Sequence, residues 1–268
     1  MLTALEHIGV RTKNIEQAIS FYQQSFGFSL SKRFSNSSRK LEIAIMKRDD
    51  LQIELLEYGL EKEKIYPTEG VVNHIAFISP RLEADFQAIQ ENGWKTYSAA
   101  PVIAPSGRRF IFFEGPQGEK LQILEVAGEG GSSGGNEGEL PCFSKSTFEH
   151  IGLRITDLKC SVKFYTEELG FEKTRAMKSA DNLKQIQFIK GYGVELELVQ
   201  SSGDVAPIPE GIVNHIAFLV DDIEQFMALL KEKNIPLLHH TPQLSLTGRK
   251  IAYFLGPDGE KIEVIQPL

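Results

Sequence analysis

The sequence predicts an α+β protein built as two tandem domains, each a pair of βαβββ units that form a curved mixed sheet around a cleft. Three observations carry this prediction, and each is a segment that recurs in the same order in both halves. An EHIG segment leads to FY and GF, a VNHIAF segment follows, and a GPxGEK segment comes last. Ordered matches of this kind indicate a duplicated domain, and they lie at residues 5–28 and 148–171, 70–77 and 211–218, and 115–125 and 256–266.

The boundary between the two copies is marked by a stretch rich in glycine and serine. It reads GEGGSSGGNEGE and begins at Gly128. A chain of this composition behaves as a flexible coil and cannot bury an apolar core. We therefore assign one domain to residues 1–127, a linker to residues 128–147 and a second domain to residues 148–268.

The first unit opens with a strand that carries His7 and continues into a helix. Apolar residues after that strand recur at helical spacing and define one buried face, namely Ile15, Ala18, Ile19, Tyr22 and Phe26. Gly27 is a typical helix stop. The runs LEIAIMK at 41–47 and LQIELLEY at 51–58 are rich in aliphatic residues and predict the last two strands of the unit.

The second unit repeats this order. It opens with the strand NHIAFIS at 73–79, and Ser79-Pro80 is a favourable helix start. Leu82, Phe86 and Ile89 mark the buried helical face, and Gly93 ends the helix. Two strands follow, RRFIFFEG and EKLQILEV. Because the second half repeats both patterns, the chain holds four βαβββ units.

The first strand of each unit places a histidine on the face opposite its large apolar neighbours. Side chains alternate between the two faces of a strand, so His7 shares a face with Gly9 and Arg11, whereas Ile8 and Val10 take the other. The helices must cover the apolar face, so the histidines face a cleft. Three glutamates sit in otherwise apolar strands and face the same way: Glu54, Glu197 and Glu263.

The repetition of this pattern points to metal binding. A single histidine in a strand is most often a hydrogen-bonded structural residue. Four histidines at matching positions of four units, each set accompanied by strand carboxylates, are better explained as ligands. Two imidazoles and two carboxylates suit Zn, Ni, Co, Mn or Fe, and the carboxylates balance the charge of a divalent ion.

These motifs resemble the vicinal oxygen chelate superfamily, which includes glyoxalase I, methylmalonyl-CoA epimerase and extradiol dioxygenases. The resemblance rests on the histidine strand, the FY…GF helix end, the NHIAF strand and the GPxGEK ending, and it covers both halves. It implies that two units curl around one metal ion. It also implies that the ligands come from the first and last strand of each unit.

Carried onto this chain, the resemblance gives two possible pairings of units. Pairing within each half gives the sets His150, Glu197, His215, Glu263 and His7, Glu54, His74, Gln122. Exchange of units between halves gives the sets His7, Glu54, His215, Glu263 and His150, Glu197, His74, Gln122. In either case one site is complete and the other carries Gln122 in place of a glutamate. We expect loading nearer to one ion than two.

The resemblance favours a glyoxalase I-like isomerase, in which the metal stabilises an enediolate and a carboxylate moves the proton. Glu263 and Glu197 are the candidate bases. Arg11 and Arg154 stand where related glyoxalases hold a carboxylate of glutathione, and arginine binds carboxylates bidentately. The chain departs from that family where it carries Tyr58 and Ser201 in place of asparagine.

Three alternatives stay open. An epimerase would use Glu42 as its base, although epimerases lack the arginine at position 11 and carry glutamine at position 54. An extradiol dioxygenase would use His150, His215 and Glu263 for iron, with Tyr253 nearby, but the histidine expected before that tyrosine is missing. A metal-free binding protein for small molecules is the last alternative.

Composition limits the classes of partner and the cellular compartment that we expect for this protein. The formal net charge of −7 argues against nucleic acid and anionic membranes, so a small-molecule substrate is expected. Neither a membrane span nor a signal peptide is expected. Cys142 and Cys160 are too few for a disulfide framework, which favours the reducing cytoplasm. We expect a monomer or a homodimer.

Overall fold

The computed structural model describes residues 1–60, 64–126, 142–179 and 181–268, and they form four βαβββ units. The first two units comprise β1 (Leu2–Arg11), α1 (Ile15–Phe26), β2 (Ser29–Asn36), β3 (Leu41–Arg48), β4 (Leu51–Tyr58), β5 (Val72–Ser79), α2 (Leu82–Glu91), β6 (Val102–Ile103), β7 (Arg109–Glu114) and β8 (Lys120–Glu125). The last two comprise β9 (Thr147–Ile155), α3 (Leu158–Lys163) with a π-helical turn (Phe164–Glu168), β10 (Glu172–Lys178), β11 (Lys184–Gly191), β12 (Val194–Ser201), β13 (Val213–Val220), α4 (Ile223–Glu232), β14 (Gln243–Leu244), β15 (Lys250–Leu255) and β16 (Lys261–Gln266).

The strands form two eight-stranded, curled mixed sheets. The first sheet has the order β14-β15-β16-β13-β1-β4-β3-β2 and therefore joins the first and fourth units. The second sheet has the order β10-β11-β12-β9-β5-β8-β7-β6 and joins the second and third units. The predicted fold class is confirmed, since each sheet is a pair of βαβββ units.

The units are exchanged between the two halves of the chain. β1 pairs antiparallel with β13, and β9 pairs in the same way with β5. The pairing within each half, which would have joined β1 to β5, is therefore wrong. The ranges 1–127 and 148–268 mark sequence repeats, and each repeat contributes one unit to each sheet.

The helices pack on the apolar face of the sheets, as the sequence pattern predicts. In α1 the side chains of Ile15, Ala18, Ile19, Tyr22 and Phe26 are buried. The backbone of Gly27 adopts a left-handed conformation at the end of this helix, where its N–H bonds the Gln23 carbonyl. Burial of this face leaves the opposite face of each sheet free to hold the histidines.

The end of the predicted linker takes part in the core. Residues 128–141 lie outside the described part of the chain, but Phe143 is fully buried. Its ring lies 4.7 Å from that of Phe26 and 5.4 Å from that of Phe113. Its backbone N–H bonds the Ser25 carbonyl. The second repeat is thereby anchored against the helices of the first before β9 begins.

The expectations about disulfide bonds and membrane spans can be compared with the structure. Cys142 and Cys160 are both free thiols. Within the described ranges, none of the helices combines the length and the apolar character that a membrane crossing would require.

Candidate metal centres

Four side chains from four strands converge in the first sheet, and we call this group the complete centre: His7 (β1), Glu54 (β4), His215 (β13) and Glu263 (β16). The Nε2 atoms of His7 and His215 are 2.9 Å apart. Oε2 of Glu263 lies 3.3 Å from each of them, and Oε2 of Glu54 lies 3.3 Å from His7 Nε2. All four residues are buried.

The second sheet holds the matching glutamine centre, which we define as His74 (β5), Gln122 (β8), His150 (β9) and Glu197 (β12). The histidine Nε2 atoms are 3.2 Å apart, and Oε2 of Glu197 lies 3.4 Å from His74 and 3.5 Å from His150. Gln122 is buried and lies in register beside Ala76 on β5. The structure therefore brings together the two sets that unit exchange predicts.

The glycine of each EHIG segment makes room for the partner strand's histidine. Gly9 lies opposite His215, and a β-carbon at this position would come within 2.1 Å of the imidazole. Gly152 lies opposite His74, where the corresponding distance is 1.9 Å. Each glycine thus allows two histidines from adjacent antiparallel strands to reach the same point.

In the complete centre, His7 and Glu263 stabilise each other's charged forms. Burial acts to lower the pKa of His7, but the charge of Glu54 and hydrogen bonds to Glu263, Glu54 and Glu6 raise it well above its usual value. Burial acts to raise the pKa of Glu263, but hydrogen bonds to His215 and His7 hold it well below its usual value. The Glu263 carboxylate is therefore anionic and available to a cation.

In the glutamine centre the pKa values of the two histidines shift in opposite directions. Burial lowers the pKa of His74, and Glu197 offsets this only in part. Burial opposes the charge of His150 as well, but hydrogen bonds to Glu149 and Glu197 raise its pKa to about 9. Glu197 is held well below its usual pKa by both histidines despite its burial. One carboxylate here faces two imidazoles, whereas two carboxylates do so in the complete centre.

The donor atoms fit a divalent metal ion. In the complete centre the candidate ligand atoms all lie within 4.8 Å of one another, and the same holds for the histidines and the glutamate of the glutamine centre. Among the described residues, Oε1 of Gln122 is buried without a hydrogen-bond partner, which is costly unless a further group, such as a cation, satisfies it. Imidazole nitrogen and carboxylate or amide oxygen suit first-row divalent ions.

The neighbouring strands place an aromatic residue beside each centre, and the sequence resemblance pointed to Tyr253 but not to its counterpart in the second sheet. Tyr253 on β15 lies opposite Glu263, and its ring is 5.6 Å from that of His215. The equivalent position in the second sheet is Phe112, which lies opposite Gln122 and 5.0 Å from the ring of His74. Register with a ligand strand is the signal that identifies these residues, and register requires the sheet order.

Arg11 at the end of β1 lines a cavity of about 480 Å³ together with Leu56 and Tyr58 of β4, the strand that also carries Glu54. Its guanidinium packs over the rings of Tyr58 and Tyr66, 4.9 and 4.1 Å from their centroids. Its Nη2 also donates to Glu210 at 3.0 Å. Arg11 therefore stands in an aromatic, partly charge-compensated setting.

Arg154 occupies the equivalent place in the second sheet with different partners. Its guanidinium donates to the Asp204 carboxylate and to the backbone carbonyl of Glu69. The tyrosine at position 58 is matched here by Ser201. The two arginines predicted to bind substrate thus lie in comparable places with unequal surroundings.

Other predicted residues are placed elsewhere. Glu42 lies opposite Glu57 on the helix-covered face of β3 and forms an ion pair with Arg33, so it cannot reach the cleft and our expectation that it serves as a base is wrong. Strand alternation is the reason, since Ile45 rather than Glu42 lies opposite Glu54. Two further combinations are not assembled, because unit exchange separates Glu197 from Glu263 and His150 from His215.

The family of the chain follows from comparison with known proteins. The profile of the Glyoxalase/Bleomycin resistance protein/Dioxygenase superfamily matches residues 4–123 and 147–264. The chain therefore belongs to this superfamily, and the resemblance recognised from its motifs is confirmed.

Among its relatives are several lactoylglutathione lyases. One from Arabidopsis thaliana is 22% identical, over 97% of this chain and 90% of that protein. A probable lactoylglutathione lyase of Vibrio parahaemolyticus is 31% identical, over 44% of this chain and 88% of that protein. The crystal structure of glyoxalase I from Zea mays superposes with a TM-score of 0.74 at 21% identity, over 98% of this chain and 92% of that chain, and so has the same fold.

Proposed function

We propose that this chain is a metal-dependent isomerase of the glyoxalase I type, acting at the complete centre on the thiol adduct of a small oxo-aldehyde. The observation that carries the proposal is the convergence of two imidazoles and two carboxylates in one buried group. The lactoylglutathione lyases among the relatives support this reaction class.

The four residues of the complete centre would hold the ion through two nitrogens and two carboxylate oxygens. A bound divalent ion supplies Lewis acidity, which stabilises negative charge on the substrate oxygens. We assign the proton transfer to Oε2 of Glu263, since the buried carboxylate at this position is the one that the glutamine centre replaces with Gln122. This oxygen would accept a proton from one substrate carbon and return it to the neighbouring carbon, which isomerises the adduct without net gain or loss of atoms.

Arg11 would bind the remote part of the substrate. A carboxylate entering the cavity would meet a guanidinium already oriented by two tyrosine rings, so little conformational entropy is lost on binding. It would share or replace the contact that Glu210 makes. Apolar lining residues of the same cavity, Leu56 and Ile212 among them, would exclude water from the thiol side of the adduct.

The glutamine centre would be a weaker metal site. Gln122 can offer its amide oxygen as a ligand, but the group is neutral and cannot act as a base. The lost carboxylate removes one attraction to a divalent ion. We therefore assign turnover to the complete centre.

The decisive experiment joins metal analysis to an activity assay. Purified protein is analysed for bound metal and then assayed with methylglyoxal plus glutathione and, separately, with other small thiols, following formation of the thioester product. We expect one predominant metal ion per chain and turnover with at least one adduct that is lost on chelation. A metal-loaded protein that converts none of these adducts would overturn the proposal.

A further inference from the structure

The histidines of both centres differ in what supports their second ring nitrogen. In each centre, the histidine that comes from the first unit of its repeat turns Nδ1 toward the glutamate that precedes it in the chain. The other histidine turns Nδ1 toward a preceding asparagine. The acid-supported histidines are His7 and His150, and the amide-supported histidines are His74 and His215.

Each supporting glutamate is itself held by an arginine from the partner unit of the same sheet. Oε2 of Glu149 lies 2.7 Å from His150 Nδ1, and its Oε1 accepts from Arg108 at 2.6 Å. In the complete centre, Glu6 contacts His7 Nδ1 through Oε2 and accepts from Arg249 at 2.5 Å through Oε1. The arrangement is thus the same in two sheets that fold from different units.

The two glutamates are nearly enclosed, since only 11% of the Glu6 side chain and 12% of the Glu149 side chain are exposed. A carboxylate so close to a metal centre could rotate and compete for the ion. The arginine prevents this by occupying the oxygen that the histidine does not use. It also compensates a buried negative charge that would otherwise be costly.

The amide-supported histidines lack this anionic support. Oδ1 of Asn214 lies 2.9 Å from His215 Nδ1, and its amide nitrogen donates to Glu210. Oδ1 of Asn73 lies 3.1 Å from His74 Nδ1, and its amide donates to Glu69 at 3.2 Å. These amides orient the rings without placing a charge directly on them. Each centre therefore pairs one strongly and one weakly supported imidazole.

We propose that Glu6 and Arg249 form a positioning pair for the complete centre, and that Glu149 and Arg108 do the same for the glutamine centre. The glutamate holds the imidazole with Nε2 toward the ion and strengthens it as a donor. The arginine holds the glutamate in that role. This inference rests on the proposed metal binding, and it concerns four residues that neither donate to the ion nor touch substrate.

The test measures metal affinity at the complete centre alone, in full-length protein that carries His150→Ala to disable the other centre. Cobalt(II) serves as the probe, since its visible spectrum reports ligand geometry, and a chelator competition gives the affinity. Glu6→Ala and Arg249→Met should each weaken cobalt binding by about 10- to 100-fold and alter the spectrum. Glu6→Asn should recover part of the affinity, because it recreates the support that His215 has.

Glu42→Gln is the matched control, since it breaks a carboxylate–guanidinium pair with Arg33 on the opposite face of the sheet. It should leave cobalt affinity and the spectrum unchanged. Thermal melting of the metal-free variants distinguishes loss of a ligand position from loss of the fold, and Arg249→Met provides a second probe if Glu6→Ala fails to fold. Unchanged affinity in both Glu6→Ala and Arg249→Met would overturn the positioning role alone. Absence of metal binding in the wild-type protein would overturn the metal centre itself.

Discussion

The Nε2 atoms of His7 and His215 lie 2.9 Å apart although 208 positions separate these residues in the chain. β1 and β13 pair antiparallel and place the His215 imidazole over Gly9. This one relationship joins the first and last units of the chain into a single centre. The second centre is formed by the two middle units, and it differs mainly in Gln122.

Metal loading should be unequal. We expect one ion to bind tightly and a second to bind weakly, because Gln122 replaces a carboxylate that would attract the cation. Gln122→Glu should tighten the second site by at least about tenfold, measured by chelator competition and by metal analysis after dialysis. Glu125→Gln changes a side chain of the same strand that pairs with Arg109 away from the centre, and it should have no effect. Equal, tight binding of two ions by the wild-type protein would contradict this expectation.

Replacing the proposed base should affect turnover more than binding. Glu263→Gln is nearly isosteric and removes the group assigned to proton transfer, so kcat should fall by about 10²- to 10⁴-fold. Steady-state kinetics on cobalt-loaded or zinc-loaded protein measure this, with metal content determined for each sample. Glu197→Gln removes the carboxylate of the other centre, at the position that corresponds to Glu54, and should leave kcat nearly unchanged. A metal-loaded Glu263→Gln protein with wild-type turnover would transfer the role to Glu54.

Arg11 should act mainly on substrate affinity. Arg11→Met removes a charged hydrogen bond to the remote carboxylate of the substrate, so KM should rise by about 10- to 100-fold with a smaller change in kcat. Arg154→Met is the corresponding change beside the glutamine centre and should leave both constants close to wild type. Equal changes of KM in the two variants would show that Arg11 does not bind the substrate.

The glycine beneath His215 should be indispensable to the complete centre. In Gly9→Ala the new methyl group would lie 2.1 Å from the imidazole, so the ring or the strand must move, at a cost of about 1–3 kcal/mol. Loss of one metal ion and a lower melting temperature should follow. Gly152→Ala should affect the glutamine centre instead. Gly203→Ala, where a β-carbon meets nothing within 4 Å, should change neither quantity.

A buried carboxyl group outside both centres should make stability depend on pH. Glu260 is fully buried and accepts from the Tyr165 hydroxyl at 2.8 Å and from the Asp258 N–H at 3.0 Å. Burial raises its pKa to about 7, although these hydrogen bonds oppose the shift. As pH rises from about 4.5 to 7, the unfolded chain loses this proton before the folded protein does. The stabilising contribution, complete below pH 4.5, is therefore lost as pH passes through about 7.

Glu260→Gln stays neutral and should remove this slope. The unfolding free energy of the variant relative to wild type should increase between about pH 5 and pH 8, by on the order of 1–3 kcal/mol. Urea unfolding of the metal-free proteins at the two pH values measures the difference. Glu224→Gln, at an exposed pair with Lys250, should not reproduce it. A relative stability that does not change with pH would show that Glu260 ionises normally in the fold.

Much of the fold could be predicted from local pattern. The helical face of α1 and the strands β3, β4 and β5 lie where apolar spacing placed them, because burial of one face is encoded by a period that a single segment displays. No segment was assigned to the strand that follows each helix. β6 and β14 have two residues each and carry no period, and nearly all residues of β2 and β10 are exposed, so these strands lack an apolar alternation. Glu42 was misassigned because we followed its resemblance to an epimerase motif, although strand alternation places its side chain on the helix-covered face of β3.

The sequence by itself determined which side chains can serve as ligands. Alternation along each strand put His7, Glu54, His74, His150, Glu197, His215 and Glu263 on the cleft side, which is a property of single strands and needs no tertiary contact to infer. The resemblance to the superfamily added Gln122 and marked one site as different.

Only the tertiary structure decided which ligands meet. The segment VNHIAF is identical at residues 72–77 and 213–218, so β1 has two possible partners with the same local chemistry. Pairing energies between individual strands cannot distinguish them, because they depend on side chains that both partners share. The pairing with β13 is accompanied by contacts outside this segment, among them the packing of Phe143 against Phe26 and the close approach of Gly70 to Gly211. Such contacts exist only once all four units have packed, which is why the pairing could not be derived from the sequence.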